Sequence, residues 1–256
     1  MRLEIAGRSV TVNIPTRAAL EAAITARWQS GDGFALATVN LDHLVKIAAD
    51  EAFAQAYAAQ DFVVADGNPI VWLSRLGGAP VDLLPGSELV LPLARMAAQA
   101  GVPVALVGSH EAALADAAGA LKATAPGLTI ALAHSPSRSF DPTGAEADAV
   151  LAEVAACGAG LCFLALGAPK QEILAMRGRT LAPHTGFASI GAGLDFLGGH
   201  QRRAPVWVQR IAMEWLWRLL SQPRRLFKRY ALSFAILPGL AWRALRQRRQ
   251  SRFRTS

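Results

Sequence analysis

Apolar residues recur along this chain in two rhythms. Residues 2–14 alternate, with Leu3, Ile5, Val10, Val12 and Ile14 apolar around a turn at Gly7, which predicts a small hairpin. Beyond it, short runs of Val, Ala and Leu alternate with Ala-rich amphipathic stretches. The runs predict strands over 34–39, 62–65, 103–107, 128–133, 161–166 and 187–190. The amphipathic stretches predict helices over about 16–30, 41–58, 69–76, 87–100, 110–124, 144–157 and 169–182. Strands that are apolar throughout belong in a parallel sheet covered on both faces. The expected class is therefore α/β, a Rossmann-like parallel-sheet sandwich with right-handed crossovers and a ligand outside the carboxyl ends of the strands. From Pro205 the pattern turns helical, punctuated by Pro223 and Pro238, and the Arg/Gln-rich end at 243–254 is expected to fray.

Charge divides the chain at the same place. Residues 201–256 hold 14 of the 26 Lys and Arg residues against one acid, Glu214, whereas residues 1–200 carry a net charge of about −6. Four of the six Trp residues (Trp207, Trp215, Trp217, Trp242) are interleaved with these arginines. The division expected is an α/β core over 1–200 and a helical, basic appendage over 201–256. Arg and Trp separated by Leu, Ile and Phe suit a surface that is apolar beneath and phosphate-rich above, an anionic membrane face before a nucleic acid. No apolar run reaches the ~18 residues of a spanning helix, and the longest, Tyr230 to Trp242, suits an interface. With no secretory signal in the opening residues, the chain reads as cytoplasmic and peripheral on the inner face of the membrane. Cys157 and Cys162 read as reduced residues of a helix end and a strand rather than metal ligands.

Candidate chemistry gathers where the predicted strands end. Thr38-Val39-Asn40-Leu41-Asp42-His43 follows the strand at 34–39, and Ala65-Asp66-Gly67-Asn68-Pro69 the strand at 62–65. Val107-Gly108-Ser109-His110, Leu166-Gly167-Ala168-Pro169-Lys170-Gln171-Glu172 and Gly191-Ala192-Gly193-Leu194-Asp195-Phe196 follow later strands. Gly108-Ser109 before a helix is either a pyrophosphate cradle or an ordinary turn with a Ser cap. Asp66 is either a general base facing the crevice or the cap of a helix opening at Pro69. Asp195 carries the same ambiguity, and Asp42 with His43 reads as a solvated helix start. There is no G-x-G-x-x-G or Walker sequence, and no D-x-D pair to hold a cation against a sugar diphosphate, so neither a cofactor nor a metal is expected.

Together these stretches resemble the WecG/TagA/CpsF family of bacterial glycosyltransferases, over nearly the whole chain from Thr38 to about Tyr230. The most specific are Ala65-Asp66-Gly67, Gly167 to Glu172, and the block from Gly191 to Tyr230. That block contains Asp195-Phe196, Arg203-Ala204-Pro205-x-Trp207, Glu214-Trp215-Leu216-x-Arg218-Leu219 and Pro223-x-Arg225. The resemblance implies an inverting, metal-free transfer of a hexose, of glucose or N-acetylmannosamine type, from a UDP-sugar to a sugar on a polyprenyl diphosphate. It implies Asp66 as general base, Thr38, Asn40 and Gln171 in the same pocket, and arginines of 201–230 closing over diphosphates. Gly108, Ser109, Lys170, Asp195, Arg203, Arg218 and Arg225 complete the expected substrate-binding set. One departure stands out: where the family commonly has an arginine before Gly-Ser-Asp, this chain has Leu83 ahead of Pro85-Gly86-Ser87-Glu88, and Arg75 is the nearest base in sequence. No nucleic-acid partner is expected, and an oligomer is left open. The rival readings are a non-catalytic module binding anionic lipid or nucleic acid through its tail, and a nucleotide-sugar modifying enzyme of Rossmann type.

Overall fold

The computed structural model describes residues 1–201, 205, 208, 213–221 and 223–254, with the side chains of 214, 218, 221, 225 and 251–254 left aside. The N-terminal hairpin pairs β1 (Arg2–Ile5) with β2 (Arg8–Thr11), and its inward residues Leu3, Ile5 and Val10 are buried. Six strands form one parallel sheet: β3 (Phe34–Val39), β4 (Phe62–Ala65), β5 (Val104–Gly108), β6 (Ile130–His134), β7 (Leu161–Ala165) and β8 (Gly186–Ser189). Their spatial order is β4-β3-β8-β7-β5-β6. Five of the six are buried nearly throughout, whereas β6, at the edge, alternates between exposed and half-buried positions.

Helices cover both faces. On one lie α1 (Arg17–Ser30), α5 (Gly86–Ala100), α6 (Glu111–Thr124) and α9 (Gly193–Leu197), sharing a core with Phe34, Leu36, Leu106 and Phe163. The other carries α2 (Leu41–Ala49), α3 (Glu51–Ala58), α4 (Asn68–Leu76), α7 (Ala145–Ala156) and α8 (Lys170–Leu181). The strand order and these faces agree on one hand of crossover, as expected for β-α-β units. The α/β class, the parallel sheet and the N-terminal hairpin are as the sequence predicts.

Local signals explain most boundaries. Thr16 caps α1 by accepting from the Ala19 N–H at 3.2 Å, and Gly31 ends it with φ +73°. The single helix expected over 41–58 is two, because Asp50 leaves helical geometry and caps α3 by accepting from the Phe53 N–H at 3.1 Å. The tail differs from expectation as well. After α10 (Glu214–Ser221), α11 runs from Pro223 to Arg254 straight through Pro238, so neither that proline nor the Arg/Gln-rich end interrupts it. It packs on β1, α2 and α4 and buries Leu226, Leu240 and Ala244. This covering is what holds its backbone beyond what propensity alone sustains.

Candidate active site

Carboxyl ends of all six strands open on one edge, and two different environments lie along it. The first gathers β3, β4 and β8. Asn40, just past β3, caps α2 by accepting from the His43 N–H at 3.1 Å, and its amide donates to Asp66 Oδ2 at 3.3 Å. Asp66, just past β4, has its own N–H on the Val39 carbonyl at 2.8 Å. It does not begin the next helix: α4 has Gly67 at its N-cap position, with no side-chain cap. A carboxylate fixed at a strand end by a neighbour's amide is thus presented to the crevice, half-buried.

A second tier seals the space beneath. Thr38 is buried, and its carbonyl accepts the Tyr57 hydroxyl at 2.5 Å, while His43 Nδ1 lies 2.8 Å from that carbonyl and 2.7 Å from the Tyr57 oxygen. His43 is therefore a buried ring in a hydrogen-bonded network, not part of a solvated helix start. Burial lowers its pKa to about 4, against the pull of the Thr38 carbonyl, and it stays neutral. The same burial holds the Tyr57 hydroxyl well above its ordinary range, reinforced by the charges of Glu172 and Asp66. Gln171, in the first turn of α8, accepts the Gly191 N–H at 3.1 Å and so joins α8 to the end of β8. Asp42 binds Lys46 at 3.0 Å and Arg229 of α11 at 3.0 Å, and Lys46 also donates to the Ala168 carbonyl at 3.2 Å. Through these contacts the tail helix is tied to the residues that position Asn40.

The second environment is an open cleft of about 770 Å³ at the ends of β5, β6 and β7. Connections leave β5 and β7 in opposite directions, the geometry at which open α/β sheets bind ligands. Gly108 ends β5 beside it: with φ +119°, a Cβ there would stand 2.4 Å from the Ala165 carbonyl oxygen, so only glycine fits. Ser109, at φ +57°, gives its N–H to the Ala165 carbonyl at 3.1 Å and its hydroxyl to Asp195 Oδ1. It does not cap α6; His110 does, accepting the Ala113 N–H at 3.2 Å. Lys170 lines the cleft with its ammonium on the Phe140 carbonyl at 2.7 Å. Arg138 and Ser135 from the loop after β6 line it too, and sequence reasoning missed both, because only the fold brings that loop beside β5.

The expected residues thus fall into two groups: Asp66, Asn40, Thr38 and Gln171 in the first environment, Gly108, Ser109, Lys170 and Asp195 at the second. The two environments meet where Gln171 follows Lys170 in the chain, but Asp66 at the end of β4 and Ser109 at the end of β5 lie four strand spacings apart, roughly 19 Å, so a ligand reaching both of these must be extended. Arg203 lies outside the described residues, as do the side chains of Arg218 and Arg225. Arg75 occupies the last turn of α4, the end away from the crevice, and is exposed, so it does not replace the arginine missing at Leu83. Among the described residues no group of three or more His, Cys, Asp or Glu is arranged to hold a metal ion. The family model described as "Glycosyl transferase WecG/TagA/CpsF family" matches residues 5–254, nearly the whole chain.

Proposed function

Since the chain belongs to the WecG/TagA/CpsF family of glycosyltransferases, which act in cell-surface polysaccharide synthesis, we propose that it moves a hexose from a UDP-sugar to a sugar on a polyprenyl diphosphate, with inversion. The observation that carries this reading is Asp66, half-buried at the end of β4, held by Asn40 at 3.3 Å and set along one edge from a cleft lined by Lys170 and Arg138. In it, Asp66 takes the proton from the acceptor hydroxyl as that oxygen attacks the anomeric carbon. The bond to UDP breaks on the opposite side of that carbon, and Lys170, Arg138 and the start of α6 hold the diphosphate, which is already charged in the bound donor, through its departure. Thr38, Asn40 and Gln171 orient sugar hydroxyls. Arg203, Arg218 and Arg225 approach the diphosphates from the appendage.

A lipid-borne acceptor requires a membrane surface, and α11 offers one. Phe227, Phe234, Trp242 and Leu245 are exposed on the side away from the buried Leu226, Leu240 and Ala244, at spacings that share a helix face. Arg224, Lys228, Arg246 and Arg249 are exposed around them. No helix among the described residues is long and apolar enough to cross a membrane. In our reading the protein lies on the inner face of the cytoplasmic membrane, with each engaged base contributing on the order of 1 kcal/mol. The test is transfer of radiolabel from a panel of UDP-sugars to membranes carrying lipid-linked monosaccharide, beside co-sedimentation with anionic and neutral vesicles. Labelled lipid product and selective binding to anionic vesicles support the reading. Absence of transfer from every donor, or tight binding of duplex DNA with no vesicle binding, removes it.

A further inference from the structure

Gln171 is anchored at both ends of its carboxamide by the protein itself. Its oxygen accepts the Gly191 N–H at 3.1 Å, and its nitrogen donates to Glu172 Oε1 at 2.9 Å. Glu172 is fully buried, and its second oxygen has no hydrogen-bond partner among the described residues. A carboxyl so placed is costly. Its neighbours in sequence, Ile173, Leu174 and Ala175, are all buried and apolar, so packing alone would accept a leucine or methionine there. Yet this carboxyl stands next to a residue whose carboxamide meets the end of β8, on the same sheet edge as Asn40 and Asp66.

We infer that Glu172 is a positioning residue for Gln171, fixing the plane of its carboxamide so that one amide hydrogen is held toward a substrate hydroxyl. Held by Gly191 alone, the carboxamide keeps its oxygen in place and remains free to rotate about that contact. The second anchor stops the rotation. Of the two amide hydrogens one then belongs to Glu172, and the other has a set direction. The inference rests on the reading of Gln171 as a sugar-contacting group. Its consequence is chemical selectivity at one hydroxyl: Gln171 presents a donor there and never an acceptor.

The ionisation of Glu172 provides an independent handle. Burial raises its carboxyl to about 7, opposed by the Gln171 hydrogen bond and by the charge of Lys46. Around it stand Lys46 from α2 and Tyr57 from α3, whose hydroxyl remains protonated over the neutral range. Lys46 is paired with Asp42 at 3.0 Å. With its carboxyl raised to about 7, Glu172 changes charge near neutrality, and the Gln171 amide reports it.

The experiment combines a double-mutant cycle with a spectrum. Glu172→Met should slow transfer from the UDP-sugar that the wild type uses by roughly 10–100-fold, the scale of an ångström misplacement. In a Gln171→Ala background the same change should cost less than about twofold, because the residue it acts through is gone. Glu172→Gln keeps an acceptor and should retain at least about a third of the activity. In ¹⁵N spectra the Gln171 side-chain amide, identified by its loss in Gln171→Glu, should move with a midpoint near pH 7 in the wild type and stay fixed in Glu172→Gln. Equal losses for Glu172→Met in both backgrounds, with folding intact by circular dichroism, would overturn the inference, as would a Gln171 amide indifferent to pH. If instead the wild type transfers from no UDP-sugar, the proposed activity fails, and the amide titration still decides the role of Glu172.

Discussion

Two halves of one sheet edge solve different problems. At β3, β4 and β8 the polar groups are buried or half-buried and bonded within the protein: Asn40 to Asp66, Gln171 to Gly191 and Glu172, His43 and Tyr57 to the Thr38 carbonyl. At β5, β6 and β7 the groups line an open cleft, and the cations there rest on a backbone carbonyl or face solvent. Ordering costs are met during folding in the first half and left to ligand binding in the second. Preorganised polar groups favour the chemical step, because they need no reorganisation as charge develops. An open, cationic cleft favours capture of a charged ligand and its later release. On the proposed reading, the difference sets the reacting end apart from the grip along the edge, and it separates what substitutions on each side should do.

Asp66 should show the largest effect. Asp66→Asn keeps the Asn40 contact available yet removes the base, so kcat should fall by roughly 10²–10⁴-fold with little change in donor KM. Steady-state transfer assays measure this directly. Near-normal turnover in that variant would end the division, since the ordered half would then carry no chemistry.

The ordered half should also leave a signature in stability against pH. His43 has its pKa lowered to about 4, so its neutral form is native, and the fold loses stability as pH drops below 6.5 toward 4. Glu172 works in the other direction. With its pKa raised to about 7, its protonated form is native, and stability is lost as pH rises from 4.5 through 7. Each contribution is of order 3 kcal/mol at full extent, and between pH 5 and 6.5 they oppose one another. Glu172→Gln should therefore gain on the wild type as pH rises from 5 to 8, read as a widening difference in urea midpoint. A constant difference over that range would mean that Glu172 does not titrate in the fold.

In the open half the expected effect is smaller and falls on binding. Lys170→Ala combined with Arg138→Ala should raise the KM for the UDP-sugar about tenfold, as expected for losing one or two charge-assisted contacts, while kcat stays within about threefold. Equilibrium binding of UDP alone should weaken in parallel. A collapse of kcat with unchanged KM would reverse the roles assigned to the two halves.

Much of this architecture was legible in advance, and the reason is geometric. Strands buried on both faces read as unbroken apolar runs, and β3, Phe34–Val39, was visible to the residue. The split at Asp50 was not, because Asp50 ends one helix and caps the next without breaking the amphipathic pattern. Pro238 punctuates the helical pattern in sequence, yet α11, packed on α2 and α4, runs through it. At the site, positions just past strands were easy to nominate, since sheet topology alone sends them to one edge. Their partners were not. Tyr57 meets the Thr38 carbonyl from 19 residues away, Arg229 reaches Asp42 from the tail, and Arg138 joins the cleft from a separate loop. Such pairings depend on side-chain direction in three dimensions, which no periodicity along the chain encodes.

The smallest expected effect concerns metal, and it tests how the open half handles charge. A departing diphosphate needs positive charge beside it, supplied either by a divalent cation on paired carboxylates or by the protein's own cations and helix starts. Three carboxylates on this edge are engaged by other groups: Asp66 receives Asn40, Asp195 receives Ser109 and Gln201, and Asp42 is bound by Lys46 and Arg229, which leaves the exposed Glu111 at the cleft as a single carboxylate rather than a pair. Lys170, Arg138 and the start of α6 stand where the diphosphate is proposed to sit. Transfer should then persist in EDTA within about twofold, and the Lys170/Arg138 variant should remain unrestored by added Mg²⁺ or Mn²⁺. Full inactivation by chelator with recovery on adding either ion would show instead that a cation provides the grip, and that the carboxylates rather than Lys170 and Arg138 define the open half.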